Sequence, residues 1–165
     1  MKKLTTIITS LLFTLVSLQS NAALINLSSA QASYEVGDTV LLDITVQDLS
    51  LDTAEIGFDL SFDSLALTFD SFSFSSDVFD SAFFSAADLS FFDNNIINFF
   101  VVWWDSSDLP ATSFSLGQAS FTAQQAYNPA FTITDAYLAD VAGKDIDYPR
   151  FTSSVPVPEP SASLI

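Results

Sequence analysis

The 165-residue chain has no cysteine, no histidine, four glycines, and only four basic residues against 20 acidic ones. Without cysteine no disulfide can staple the fold, so a core must hold by packing alone. Without histidine the commonest general base and the usual zinc ligand are missing, which argues against Ser-His-Asp hydrolases and zinc enzymes. The shortage of cations leaves a net charge of −16 at pH 7. Such a field repels phosphate backbones and anionic membrane surfaces, attracts cations and favours solubility. Nucleic acid is therefore not an expected partner.

A long apolar run is also lacking. The longest, from Ile7 to Leu18, is broken by Thr9, Ser10, Thr14 and Ser17, and it falls short of the roughly 20 residues a stable membrane span needs. Lys2 and Lys3 precede it, and the small residues Ser20 and Ala22 follow at the spacing signal peptidase accepts. Residues 1–22 therefore read as a cleaved secretory signal peptide. Its removal would leave only Lys144 and Arg150 against the acidic residues. The roughly 140 residues that remain suffice for one domain burying about two thirds of its unfolded surface.

What the sequence does have is the period of two. In "TVLLDITVQDL", Val40, Leu42, Ile44 and Val46 fall on one side and Leu41, Asp43, Thr45 and Gln47 on the other, the pattern of a half-buried strand. In "EIGFDLSFD", Ile56, Phe58, Leu60 and Phe62 are expected to face a core, with Gly57, Asp59 and Ser61 facing water. Asp63 and Ser64 then supply a turn, after which Leu65, Leu67 and Phe69 resume the alternation. The stretch "DSFSFSSDVFDSAFFSAADLSFFDNN" is low in complexity. Phe-Asp-Ser recurs at residues 62, 69 and 79, a spacing too unequal for a solenoid repeat. It reads as short strands and loops wrapped over a sheet edge, with one helical turn near "SAFFSAADL".

"IINFFVVWW", Ile96 to Trp104, is apolar on both faces and marks a central strand, or one whose second face meets a partner. Further strands are expected at "GQASFTA", with Gly117, Ala119, Phe121 and Ala123 inward, and at "AFTITDAYL". No segment after residue 22 sustains a 3.6-residue period. With no helix available to cover an apolar sheet face, the economical fold is all-β, an antiparallel sandwich of two sheets over residues 23–152.

Specific residues carry a resemblance. "VGDTVLLDITV" followed by "GFDLSFDSLALTF" resembles the opening of cohesin domains, in which a Gly-Asp turn leads into a strand and a phenylalanine-rich strand ends in a Tyr-Asp-Pro or Phe-Asp-Pro turn before a leucine. "DSSDLPATSFSLGQASFTA" is similar to the penultimate strands of that family, so the likeness spans most of residues 31–140. Ser64 stands where the family usually has proline. The resemblance implies a cohesin-like jelly roll belonging to the superfamily that also includes carbohydrate-binding modules.

The tail, residues 153–165, contains "VPVPEP". Val157, Pro158, Glu159 and Pro160 resemble the start of the PEP-CTERM sorting signal, in which such a motif precedes a membrane helix and an arginine cluster. That likeness implies processing by exosortase-type machinery in a Gram-negative bacterium, and association with exopolysaccharide or biofilm matrix. Only Ser161 to Ile165 follow the motif, so the expectation divides between a signal cut short and a freely released product. A plain proline-rich tail is the bland alternative.

Trp103 and Trp104 are the two tryptophans, and adjacent strand residues point to opposite faces. One of them is thus a candidate for an exposed indole on which sugar rings stack or a protein partner anchors. The alternative is that both are packed, one in the core and one beneath the Phe-rich crossing segment. In "TDAYLADVAGKDIDYPR", Asp135, Asp140, Asp145 and Asp147 crowd a strand end and loop. Asp140, Asp145 and Asp147 are weak calcium candidates, because calcium takes hard oxygen ligands. Their spacing matches no EF-hand or dockerin loop, and solvated surface charge is the favoured reading, as it is for Asp70, Asp77, Asp80 and Asp88.

A glycosidase pair drawn from Glu35, Glu55 and the aspartates needs no histidine, but it needs at least one carboxyl buried enough to raise its pKa. Most acids here fall at outward strand positions or in turns. No catalytic residue and no required cofactor is assigned. The expectation is a non-catalytic binding or scaffolding module that is secreted, residing in the periplasm, at the outer cell surface or in the matrix, with an extracellular protein or polysaccharide as partner. The alternative is a carbohydrate-binding module acting on matrix polysaccharide.

Overall fold

The computed structural model describes residues 23–81, 88–93, 95–103, 111–126, 128 and 130–146, with the backbone alone at 79–81 and 88–93. The expected signal peptide, Trp104, Asp147 and the Val157 to Pro160 motif lie outside the described residues.

Eight strands form: β1 (Leu24–Ser29), β2 (Thr39–Gln47), β3 (Glu55–Phe62), β4 (Leu67–Phe74), β5 (Asp88–Asp93), β6 (Ile96–Val102), β7 (Phe114–Ala123) and β8 (Phe131–Ala139). A short helix, α1 (Ser76–Ser81), follows β4. The strands make two antiparallel sheets, ordered β1-β2-β7-β4 and β5-β6-β3-β8. Only β1–β2 and β5–β6 are neighbours both in sequence and within a sheet; every other connection crosses between the layers. This is the two-sheet sandwich the periodicity predicts.

The alternation of the sequence becomes the two faces of each layer. Val40, Leu42, Ile44 and Val46 are fully buried while Leu41 is exposed, and Ile56, Phe58, Leu60 and Phe62 enter the same core. In β6 the inward set is Ile97, Phe99 and Val101, and β6 lies between β5 and β3, as a central strand should. Each fully buried Leu, Ile or Phe contributes about 1.5–3 kcal/mol, which is how a fold without disulfides is held.

Phenylalanine, 17 residues of the chain, is the mortar between the layers. Phe121 of β7 meets Phe62 of β3 edge-on at 5.1 Å and Phe131 of β8 at 5.1 Å. Phe72 of β4 meets Phe99 of β6 at 4.9 Å, and Phe99 in turn stacks on Phe58 at 4.8 Å. Aromatic pairs in such geometries add about 0.5–1.5 kcal/mol beyond their burial.

Three details depart from strict alternation. A shift of register between Phe69 and Ser71 lets both Phe69 and Phe72, three residues apart, pack against the core; a bulge inserts one residue and resets the faces. Leu65, expected inward, is 82% exposed. Asp63 holds it in a turn, its carboxylate accepting from the Leu65 amide at 2.9 Å and its carbonyl from the Ala66 and Leu67 amides. That turn closes with Ser64 in it and needs no proline. Gly57, expected to face water, is buried, for a reason given below. The helical turn expected near residues 81–89 falls mostly on 82–87, outside the described residues; just before it, at the start of α1, Ser75 accepts from the Asp77 and Val78 amides and Val78 is fully buried.

The described strands of the low-complexity middle are, as expected, edge structure. β4 closes one sheet, β5 opens the other, and α1 lies between them in the chain, packed against β7.

Candidate binding face

The outer face of the β5-β6-β3-β8 sheet is built by the residues left over once the core takes its share. β3 turns Glu55, Gly57, Asp59 and Ser61 outward, β6 contributes Ile96, Asn98, Phe100 and Val102, and β8 contributes Thr132, Thr134 and Tyr137. The register sets these in rows: Val102 beside Glu55; Phe100, Gly57 and Tyr137 across three strands; Asn98, Asp59 and Thr134; Ile96, Ser61 and Thr132.

Gly57 is the centre of this face. A side chain there would collide with Cε1, Cζ and the hydroxyl of Tyr137, so the missing Cβ lets the Tyr137 ring lie over β3 toward Phe100. Glycine inside a strand often marks such a close approach. The Tyr137 hydroxyl donates to Glu55 Oε1 at 2.8 Å, and the Asn98 amide donates to Asp59 Oδ1 at 2.8 Å. Partial burial, the hydrogen bond to Glu55 and the charges of Glu55 and Asp145 together push the Tyr137 phenol up to about 12. Tyr137 as a residue remains 38% exposed.

Tyr137 reaches this position through a bulge. Between Gly57 and Asp59 the β3–β8 register shifts, and Asp135 takes a φ of 48°, a left-handed conformation that aspartate tolerates better than most residues. The extra residue switches β8 so that Ile133, Ala136 and Leu138 pack inward while Thr134 and Tyr137 face out.

The other outer face is different in kind. Asp43, Gln118, Ser120, Thr122, Thr68, Asp70 and Ser73 pave it. Gln118 donates to Asp43 at 2.8 Å and Thr122 to Asp70 at 2.9 Å. Leu41 is its one exposed large apolar side chain among the described residues.

The sequence-derived candidates fall as follows. Trp103 does not lie on the binding face: it is 1% exposed and meets Phe114 edge-on at 5.9 Å. It continues the inward series of Ile97, Phe99 and Val101, and its amide donates to the Ala54 carbonyl at 2.7 Å. Of the two candidates for an exposed indole, Trp103 is thus a core residue, and Trp104 is outside the described residues. Asp140 is engaged in its own turn, its Oδ1 accepting from the Ala142 and Lys144 amides at 2.9 and 3.0 Å. Asp145 forms a bridge with Ala139. Among the described residues no group of three or more acids could hold a metal ion.

A cleft of about 860 Å³ at one end of the sandwich is lined by Gln31, Ser33, Tyr34, Glu35, Asp38, Ala126 and Asn128. There the Asp38 carboxylate accepts from the Glu35 amide at 2.9 Å, a local turn contact.

Tyr137, Phe100 and Gly57 were not singled out as site residues by sequence. The lone glycine inside an apolar strand was the one available signal. The bulge that turns Tyr137 outward left none.

No protein-family model matches the chain, and no curated protein does. Solved structures do. A type II cohesin domain from the cellulosome of Acetivibrio cellulolyticus superposes with a TM-score of 0.60 at 12% identity, covering 81% of this chain and 92% of that one. The non-cellulosomal cohesin of the archaeon Archaeoglobus fulgidus gives 0.59 at 18% identity, with 81% and 86% covered. The type I Coh-OlpA–Doc918 cohesin–dockerin complex from Clostridium thermocellum gives 0.63 at 11% identity, with 82% and 98% covered. At these identities the likeness speaks to architecture, and the architecture of this chain is that of a cohesin-like β-sandwich.

Proposed function

We propose that the protein is a non-catalytic binding or scaffolding module that is secreted or displayed at the cell surface, and that it docks a protein partner on the outer face of the β5-β6-β3-β8 sheet. The observation that carries this reading is the contrast between the two outer faces. One is paved with small polar groups, while the other sets Phe100, Val102, Ile96 and Tyr137 among hydrogen-bonded polar pairs. Aromatic residues among polar ones are what protein interfaces are enriched in. Cohesins in complex with dockerins share the fold, which supports a protein partner without identifying one. Among the residues whose side chains are described, the one buried polar or charged residue is Thr53, so none of those side chains is a buried carboxylate for acid–base work. The leader-like residues 1–22 and the Val157 to Pro160 motif support export and surface sorting, with matrix association as the setting.

The test is capture from the envelope of the encoding organism on the immobilised full chain, run beside Phe100→Asp and, on the opposite sheet, Thr68→Asp. A saturable protein partner should be held by the wild type and by Thr68→Asp and lost with Phe100→Asp. Recovery of no protein, or equal loss in both variants, contradicts the reading.

A second reading, a carbohydrate-binding module, is favoured by one observation: Tyr137 is exposed beside the Asn98–Asp59 pair, an aromatic residue next to hydrogen-bonding groups. A glycan array with and without calcium separates the two. Signal on defined glycans that disappears in Tyr137→Ala, with no protein partner, would promote it.

A further inference from the structure

Resting on the docking face just proposed, we infer that the partner meets it with a basic and apolar surface, placing arginine or lysine side chains against the Glu55 and Asp59 carboxylates while apolar groups cover Phe100 and Val102. Glu55 and Asp59 flank Gly57 on β3 and lie on either side of the Phe100–Gly57–Tyr137 row. No basic residue occupies any described strand of either sheet; Lys144, the one described cation, sits in the turn after β8. The register adds Asp88 of β5 opposite Phe100 and Asp93 opposite Ile96. Asp145 lies near enough for its charge to act on Tyr137.

Charge alone does not select this face, since Asp43 and Asp70 stand on the other sheet. The combination does. A neutral apolar partner covering Phe100 and Val102 would strip water from Glu55 and Asp59 without returning a counter-charge, and buried unpaired charge is costly. A second copy of this chain, face to face, would bring like charges together. A guanidinium meets both demands, because it pairs with a carboxylate in bidentate geometry and stacks on an aromatic ring such as that of Tyr137.

The test is an NMR titration of the full chain with an amidated helix-forming peptide of about 14 residues composed of leucine, alanine and arginine, beside a twin with glutamine for arginine. Shifts should be confined to β3, β6 and β8 and be absent with the glutamine twin. Binding should weaken about tenfold between about 50 and about 500 mM salt. Glu55→Gln/Asp59→Asn should lose about tenfold, while Asp43→Asn/Asp70→Asn, an equal change of charge on the other sheet, should lose less than about twofold. Equal loss in the two double variants, tight binding of the glutamine twin, or shifts spread over both sheets would overturn the inference. An envelope partner lost with Phe100→Asp, yet indifferent to salt and to Glu55→Gln/Asp59→Asn, would overturn it too, and leave the docking face standing. Failure to capture any protein would instead strike the docking reading.

Discussion

The ring of Tyr137 occupies the space a side chain at Gly57 would need, the two residues facing each other across β8 and β3. Gly57→Ala should therefore displace the ring, break its bond to Glu55 and cost about 1–3 kcal/mol, the range for overpacking. In a double-mutant cycle with Tyr137→Ala the two losses should fall short of additivity by about 1 kcal/mol. Urea unfolding of the four proteins measures this; strict additivity would show that the ring and the glycine are not coupled.

The same ring reports its surroundings through its proton. Wild type minus Tyr137→Phe, followed by ultraviolet difference absorbance, should show a phenol ionising near pH 12, against an ordinary value of 10.0. Glu55→Gln should lower it, since it removes a charge that opposes the phenolate. The folded state holds this proton more tightly than the unfolded chain does. Its contribution to stability is thus fully present below pH 10.0 and lost as pH rises toward about 12. A midpoint at the ordinary value would contradict the hydrogen bond.

Trp103 belongs to the core, so its truncation should be read out as stability. Trp103→Ala should cost about 3–5 kcal/mol. At a temperature where the variant stays folded, partner binding should match the wild type. Lost binding in a folded variant would return Trp103 to the interface.

Gly117 makes a third requirement. It has a φ of 155°, and a Cβ there would press on the Ser73 carbonyl and the Phe72 ring. It sits where the β2–β7 register shifts, paired with Ile44 on one side and Phe74 on the other. Gly117→Ala should destabilise by about 1–3 kcal/mol and perturb the amides of β4 first. A neutral outcome in thermal unfolding would mean the bulge relaxes freely.

The legible part of this molecule was the part governed by alternation. Val40 to Val46 and Ile56 to Phe62 read directly as inward positions, because a period of two leaves a buried strand no other register. Asp63 was legible as a turn residue. The bulges at Phe69/Ser71, Ile44/Thr45 and Gly57/Asp59 were not, since each depends on a partner strand far along the chain. The last of these decides which face Tyr137 takes. Trp103 shows the same limit from the other side: adjacency to Trp104 said that one indole should point inward, but only the register with Ile97, Phe99 and Val101 says which.

The most direct test of the central claim is hydrogen exchange on the full chain, free and saturated with its captured partner. The account predicts slowed exchange in residues 55–62, 96–102 and 131–139, with residues 24–29 and 67–74 unchanged. Protection confined to the β1-β2-β7-β4 sheet, or to the cleft at Tyr34 and Asp38, would contradict it.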